Sequence, residues 1–312
     1  MSYPYQLVLV TVFFLSLCSC QKTGDLYSPK SLPGNTVKDI TAAVSAGSVN
    51  VISDWETHDL SQWDGIRCHD CAAQFSTVNA PVRQGSYAAR FVVHPNDIIP
   101  GISGERCEVA HVNDIVHGYT PEKVDDDFYY GWSTLLPSDW TNPNIWGIFM
   151  QWHAQTSFSP PIAFNIDHDT IEVNLRGGLI SGTKENHTFG CAKTYKLLTT
   201  LNKGLWHDFI VHVKFRPDNA GILEVWHRLE GDSAFVQLLS VSNVPTLHYT
   251  TNLSFIAQGA QRSFGNGYTT DCYVQHGLYR GPGGKNTNTI YHDNWIRATS
   301  YATIQSSFGK KP

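Results

Sequence analysis

The chain has 312 residues, 41% of them hydrophobic, 12% aromatic and 16% charged, enough apolar material for a sizeable core. Lys and Glu, the usual fillers of exposed helix faces, are scarce, while 9 Trp, 14 Tyr and 15 Phe suit strands. A net charge of −5 excludes the basic stripe of a nucleic-acid binder and the strong positive field that a heavily sulfated ligand calls for, so an anionic partner must be met locally by a few Arg, Lys and His.

Along the chain, the apolar run Leu7–Leu17 has the length of a signal-peptide core and is too short to span a bilayer. It ends in Leu17-Cys18-Ser19-Cys20 before the polar Gln21-Lys22, similar to a bacterial lipobox with Cys20 as the lipidated residue. Residues 1–20 are therefore expected to be a signal peptide of lipoprotein type; an ordinary signal peptide cut nearby is the alternative, since Met1–Gln6 carries no Lys or Arg. Either implies export, as an outer-membrane or cell-surface lipoprotein or in secreted form. Residues 21–48, rich in Ser, Thr, Gly, Pro and Lys, read as a flexible linker, and 49–312 as one β domain, monomeric and touching a membrane through the lipid anchor alone.

Export implies an oxidising compartment. Without Cys18 and Cys20, Cys68, Cys71, Cys107, Cys191 and Cys272 remain, an odd number. Cys68-x-x-Cys71 has the spacing of half a zinc site, but no second pair follows, which favours a disulfide, either across this short loop or from one of the two to another cysteine. Asn186-His187-Thr188 and Asn252-Leu253-Ser254 are glycosylation acceptors if the source glycosylates.

From Val49 onward, short strands alternate with turn residues, with no long helical period and no repeat. Trp206–Arg216 carries Phe209, Val211, Val213 and Phe215 on one face and Asp208, His212, Lys214 and Arg216 on the other. Phe128–Leu136 reads as an aromatic strand, and Pro161–Ile166 with Thr170–Arg176 as a hairpin around Asp167-His168-Asp169. Ile222–Leu229, Phe235–Val241, Asp271–Arg280 and Thr289–Ala298 continue the series. This pattern predicts an all-β, concanavalin-like β-jelly-roll sandwich of two curved antiparallel sheets with an open concave groove suited to a polymer.

Three strands present polar groups in the same way. In Ile148–His153, alternation sends Ile148, Met150 and Trp152 to the core and Phe149, Gln151 and His153 to the opposite face. In Gly104–Ala110, Arg106 and Glu108 share a face; an Arg-x-Glu pair is ordinarily a structural ion pair, but its guanidinium can also receive a carboxylate. His111 falls on the core side by strict alternation, and a bulge would turn it to the groove. In Tyr273–Arg280, Tyr273, Gln275, Gly277 and Tyr279 share a face, and Gly277 would let a ligand approach the sheet.

Arg106-Cys107-Glu108, Gln151-Trp152-His153 and Gly277-Leu278-Tyr279, in this order, resemble motifs of the jelly-roll polysaccharide lyases: glucuronan lyases of family 20, the heparin lyase I-like group and alginate lyases of family 7. The flanks Asp54-Trp55-Glu56, Tyr130-Gly131-Trp132-Ser133 and Tyr291-His292-Asp293-Asn294-Trp295 are similar to the first two, and the resemblance covers roughly residues 50–300. It implies a carbon–oxygen lyase acting on an anionic polysaccharide. Family-7 enzymes have a Lys where this chain has Gln275, which shifts the expected substrate from alginate to an unsulfated polyglucuronate.

β-Elimination removes the C5 proton of a uronate and expels the 4-O-linked sugar, so the site must offset the carboxylate charge and stabilise an enolate-like species. The resemblance assigns this to Gln151 and Arg106, with His153 as base and Tyr279 as proton donor to the leaving oxygen. Tyr279 would instead serve as both base and acid in a syn elimination if a neighbouring cation favoured its ionised form. Glu108, His111, Gln275, Arg280 and Trp152 are candidate substrate-binding residues. A structural Ca²⁺ is implied too, held by Glu56, Asp293 and the Gly85 carbonyl; no organic cofactor is expected.

Two rivals share the fold. A glycoside hydrolase needs two carboxylates across one bond, and Asp167-His168-Asp169-Thr170-Ile171-Glu172 loosely mimics such a motif with Asp in place of its first Glu. A non-catalytic lectin-like protein would use aromatics such as Trp140, Trp146 and Trp152. Unsaturated products separate a lyase from both.

Overall fold

A computed structural model describes residues 48–113 and 118–308. The expected signal peptide, Cys20 and nearly all of the expected linker lie outside them. In chain order the strands are β1 (Val49–Ser53), β2 (Gly65–Cys68), β3 (Phe75–Val78), β4 (Ala88–Val93), β5 (Glu105–His111), β6 (Asp127–Leu135), β7 (Gly147–Ala154), β8 (Ile162–Asp167) and β9 (Thr170–Gly182). They continue with β10 (His187–Leu198), β11 (Trp206–Lys214), β12 (Gly221–Leu229), β13 (Val236–Val244), β14 (His248–Tyr249), β15 (Gln261–Phe264), β16 (Gly267–Thr270), β17 (Cys272–Arg280) and β18 (Asn288–Ala298).

Two large antiparallel sheets result. The first runs β13-β12-β11-β6-β18-β4-β3, with β1 also on β18; the second runs β10-β9-β8-β7-β17-β5-β2, with β14 beside β9. The expected hairpin forms between β8 and β9, with Asp167 paired to Thr170. Cys68 and Cys71 bond to each other across the short loop, which closes the zinc reading, while Cys107, Cys191 and Cys272 are buried.

The aromatic content is spent between the sheets. Phe209, Val211, Val213 and Phe215 are fully buried, as the alternation of β11 predicts. Trp132 meets Phe164 with ring centroids 5.2 Å apart and Phe209 at 5.4 Å, and Tyr130 meets Trp152 edge-on at 4.8 Å. Such pairs add about 0.5–1.5 kcal/mol each beyond area burial. His276 and His292 meet at a tilt in the same interior, with ring centroids 3.9 Å apart.

Candidate active site

One open groove, about 1070 Å³ in volume, runs across the second sheet. Its walls include Arg67 from β2, Arg106 from β5, Ile148 and His153 from β7, Asn165 and Asp167 from β8, Glu172, Asn174 and Arg176 from β9, and Tyr279 from β17. Adjacent strands hold their side chains in cross-strand rows about 4.8 Å apart, so residues distant in sequence become neighbours here. Arg106 pairs in register with Tyr279, and Gln151 with Gln275.

Arg106 is the hub. Its guanidinium carbon lies 3.7 Å over the Tyr279 ring. Nη1 donates to Glu108 Oε2 at 3.3 Å, and Nη2 donates to the Ser103 carbonyl at 2.6 Å. Glu108 is fully buried; burial raises its pKa, while Arg106 and the Gln151 amide pull it back. Gln151 Nε2 donates to Glu108 Oε1 at 2.6 Å. A chain Gln151–Glu108–Arg106–Tyr279 therefore joins β7, β5 and β17. The Tyr279 hydroxyl sits 3.0 Å from Ser103 Oγ, and its ring meets the exposed Trp146 edge-on at 4.9 Å.

His153 lines the same groove beside Tyr273, with rings 5.5 Å apart. Its Nδ1 is 2.6 Å from the Ala154 carbonyl. A carbonyl only accepts, so Nδ1 carries the proton and Nε2 keeps a free lone pair. Burial lowers the imidazole pKa to about 4; the Ala154 bond opposes this, and Arg67 and Arg106 push the same way as burial. At neutral pH His153 is an uncharged base.

The structure thus brings Arg106, Glu108, Gln151, His153 and Tyr279 into one neighbourhood, and corrects several expectations. Gln151 lies beneath the groove surface rather than open to it: it is fully buried, and its amide nitrogen is committed to Glu108. Gln275 is buried beside it, and neither polar atom of its amide has a partner among the described residues. Trp152 points into the core against Tyr130 and Phe164, away from substrate. His111 stays on the core side, stacked on Trp63 at 4.2 Å and 2.8 Å from Ser53 Oγ. Arg280 is buried as well: Nε donates to Glu105 Oε2 at 2.7 Å, and Nη1 bonds Asn288. Its ion pair is structural.

Two further corrections have backbone causes. The pairing of β7 with β8 slips between Ile148 and Met150, a bulge that reverses the facing of neighbouring side chains. Ile148 then lines the groove, and Phe149 packs on Phe164 and Phe209 in the core. Gly277 does not open the sheet to a ligand. Its φ is +151°, and an added Cβ would meet the Cys107 carbonyl oxygen at 2.3 Å, so glycine is required for close packing against β5.

Sequence reasoning missed Arg67, whose Nη1 donates to the Tyr273 hydroxyl at 3.5 Å, and Ser103, which holds both Arg106 and Tyr279. A lone Arg on a short edge strand and a loop Ser carry no spacing signal.

The three residues expected to hold a cation meet on one loop. Glu56 accepts the amides of Ser86 at 2.9 Å and Tyr87 at 3.1 Å. Asp293 accepts those of Arg83 at 2.9 Å and Gln84 at 3.1 Å. Gly85 lies between: a Cβ there would fall 2.3 Å from Glu56 Oε1. Burial raises the Asp293 pKa well above the usual carboxylate range; backbone amides offset this in part, and Glu56 raises it further. Two carboxylates facing one loop, one of them buried, fit a hard divalent cation. Among the described residues no three His, Cys, Asp or Glu side chains converge, so backbone carbonyls would complete the shell.

Comparison with known proteins places these features. No curated protein matches the sequence. Among solved structures, an endo-β-1,4-glucuronan lyase from the fungus Trichoderma reesei superposes with a TM-score of 0.59 at 18% identity, covering 82% of this chain and 98% of that one. The marine PL-14 alginate lyase from Aplysia kurodai gives 0.50 at 11%, over 80% and 98%. The catalytic domain of a family-131 glycoside hydrolase from Coprinopsis cinerea gives 0.50 at 9%, over 80% and 94%. At these identities the likeness shows the shared sandwich alone. The family model described as polysaccharide lyase matches residues 55–296, and the chain belongs to that family.

Proposed function

We propose that the protein cleaves a uronic-acid-containing polysaccharide by β-elimination, with an unsulfated, glucuronan-like polymer as the favoured substrate. The observation that carries this reading is the meeting of a fixed guanidinium, a neutral imidazole with a bare nitrogen and a phenol in one open groove. Arg106 offsets the uronate carboxylate and steadies the enolate-like species. Nε2 of His153 takes the C5 proton, and the Tyr279 hydroxyl protonates the departing O4. Gln151 positions Arg106 through Glu108. The choice of substrate is supported by the fold likeness to a glucuronan lyase and by the modest net charge.

The test is a screen of purified protein against glucuronan, alginate, heparin-type chains and pectate, following ultraviolet absorbance of the C4–C5 double bond. Absorbance rising on a polyuronate supports the proposal. New reducing ends without it would instead favour hydrolysis by Asp167 and Glu172, which also line the groove.

His153→Gln is expected to lower kcat about 10²–10⁴-fold, the usual worth of a positioned base. Because the imidazole titrates near 4 rather than 6.5, wild-type kcat/KM should hold as pH falls through 6 and drop only as pH nears the lowered value. Half-loss at pH 6.5 would show that the base is not this buried imidazole.

The same reading gives Glu56, Asp293 and the Gly85 carbonyl a structural Ca²⁺, which would neutralise the paired carboxylates and pin the Arg83–Tyr87 loop to β18. Saturating Ca²⁺ is expected to raise Tm by several degrees over protein in chelator, as ligand linkage requires at about 100-fold excess over Kd. Asp293→Asn should abolish the difference. Equal melting with and without Ca²⁺ would remove the ion from the account.

A further inference from the structure

The groove extends well past the catalytic cluster, and its far half has a chemistry of its own. Trp152 pairs with Ile162, and Ile162 with Leu175. One residue along, His153, Pro161 and Arg176 therefore lie in a single cross-strand row, joined by the Arg176 amide bond to the Pro161 carbonyl at 2.7 Å. The next row is Gln151, Ala163, Asn174 and Thr194, where Thr194 Oγ1 donates to Asn174 Oδ1 at 2.6 Å. The third row sets Ile148 beside Asn165 and Glu172. Of this middle row Asn174 and Thr194 line the groove, with the Arg176 cation on one side and the Glu172 carboxylate on the other.

Arg176 stands apart from most arginines of the protein. Arg83 and Arg228 share Asp208, Arg280 holds Glu105, and Arg297 holds Glu122. The Arg176 guanidinium has no ion pair and no side-chain hydrogen bond among the described residues. Glu172, four residues earlier on the same strand, acts on it from beyond ion-pair distance, and burial lowers its pKa. A half-buried guanidinium that lines a groove without a partner is a receptor for an anion.

We infer that Arg176 binds a second uronate carboxylate of the same polysaccharide, two strand spacings or about 10 Å from His153, and so selects chains carrying acid groups on both sides of the cut. This rests on the proposed lyase reading and adds a specificity determinant on β9, with Asn174 in the neighbouring row addressing hydroxyls of the same sugar.

The test uses Arg176→Met and Arg176→Lys, with polyglucuronate oligosaccharides and the same oligosaccharides carboxyl-reduced to neutral glucan. Cleavage kinetics are measured in the otherwise wild-type protein, and binding by calorimetry in a Tyr279→Phe background, where no cleavage is expected. A charge-assisted pair of this kind is worth about 10–100-fold. Arg176→Met should raise KM and Kd for polyglucuronate by that factor, with the loss in KM rather than kcat. Arg176→Lys should restore much of it, and Kd for the neutral glucan should not change. Wild-type cleavage with unaltered KM in Arg176→Met would overturn the inference while leaving the lyase reading intact. Arg176-dependent binding without cleavage of any polyuronate would sustain the inference and overturn the lyase reading. No binding by the wild-type protein would overturn both.

Discussion

Tyr279→Phe is expected to abolish formation of unsaturated oligosaccharides, lowering kcat by about 10²–10⁴-fold. The substitution removes one oxygen and leaves the rest of the contact set in place. The ring still packs under the Arg106 guanidinium at 3.7 Å and against Trp146 at 4.9 Å, so the cation keeps its position. Only the bond to Ser103 Oγ and the proton offered to the leaving oxygen are lost. KM and Tm should stay near wild type, which separates a chemical from a structural defect. The pair Tyr279→Phe and His153→Gln also distinguishes the two elimination schemes. If Tyr279 is base and acid together, His153→Gln should be mild and Tyr279→Phe severe; if the roles are split, both should be severe. Full activity in Tyr279→Phe would take the phenol out of the mechanism.

The second large effect concerns acid stability. Several histidines are buried uncharged in or near the core. Burial lowers His227 to about 4 and His248 and His292 to about 3, and drives His276 down as well. These folded-state values lie below the unfolded value of about 6.5. The unfolded chain therefore binds more protons wherever pH lies between the two, and stability must rise with pH across that window. Stability is whole above about pH 6.5 and is lost as pH falls toward 4 and then 3. Each proton adds a slope of about 1.4 kcal/mol per pH unit, so three or four buried imidazoles would withdraw several kcal/mol by pH 5, a large share of a domain's stability. Urea unfolding at pH 7, 6 and 5 measures this directly. His248→Asn should reduce the slope by about one proton. A flat profile from pH 7 to 5 would show that these imidazoles titrate normally in the folded protein.

Much of this was legible in the amino-acid order. Period-2 alternation placed Phe209, Val211, Val213 and Phe215 inside and marked the β8–β9 turn, because strands buried on one face and polar on the other print their geometry onto the chain. The grouping of Arg106, His153 and Tyr279 was visible as three similar strand motifs. What failed was local backbone geometry and depth. Nothing in Ile148-Phe149-Met150 announces the bulge that exchanges the facings of Ile148 and Phe149. Alternation also tells which face a side chain joins but not how deep it lies, so Gln151 and Gln275 look open to the groove in the sequence although both are fully buried. Arg280 follows Tyr279 and looked equally available, yet its partner Glu105 sits across the ladder on β5, a pairing that only register reveals. Arg176 belonged to a strand already recognised, but its solitude is a property of three dimensions.

The relay from Gln151 to Tyr279 rides on three adjoining strands rather than on loops. Alignment of the reacting groups is therefore inherited from the hydrogen-bonded lattice of the sheet, and a one-residue slip of β17 against β5 would dismantle it entirely. The bordering turns near 144–146 and 157–160 touch the groove without bearing that frame. Those turns can therefore be rewritten, next to the proposed Arg176 determinant on β9, while the strand-borne frame from Gln151 to Tyr279 stays as it is.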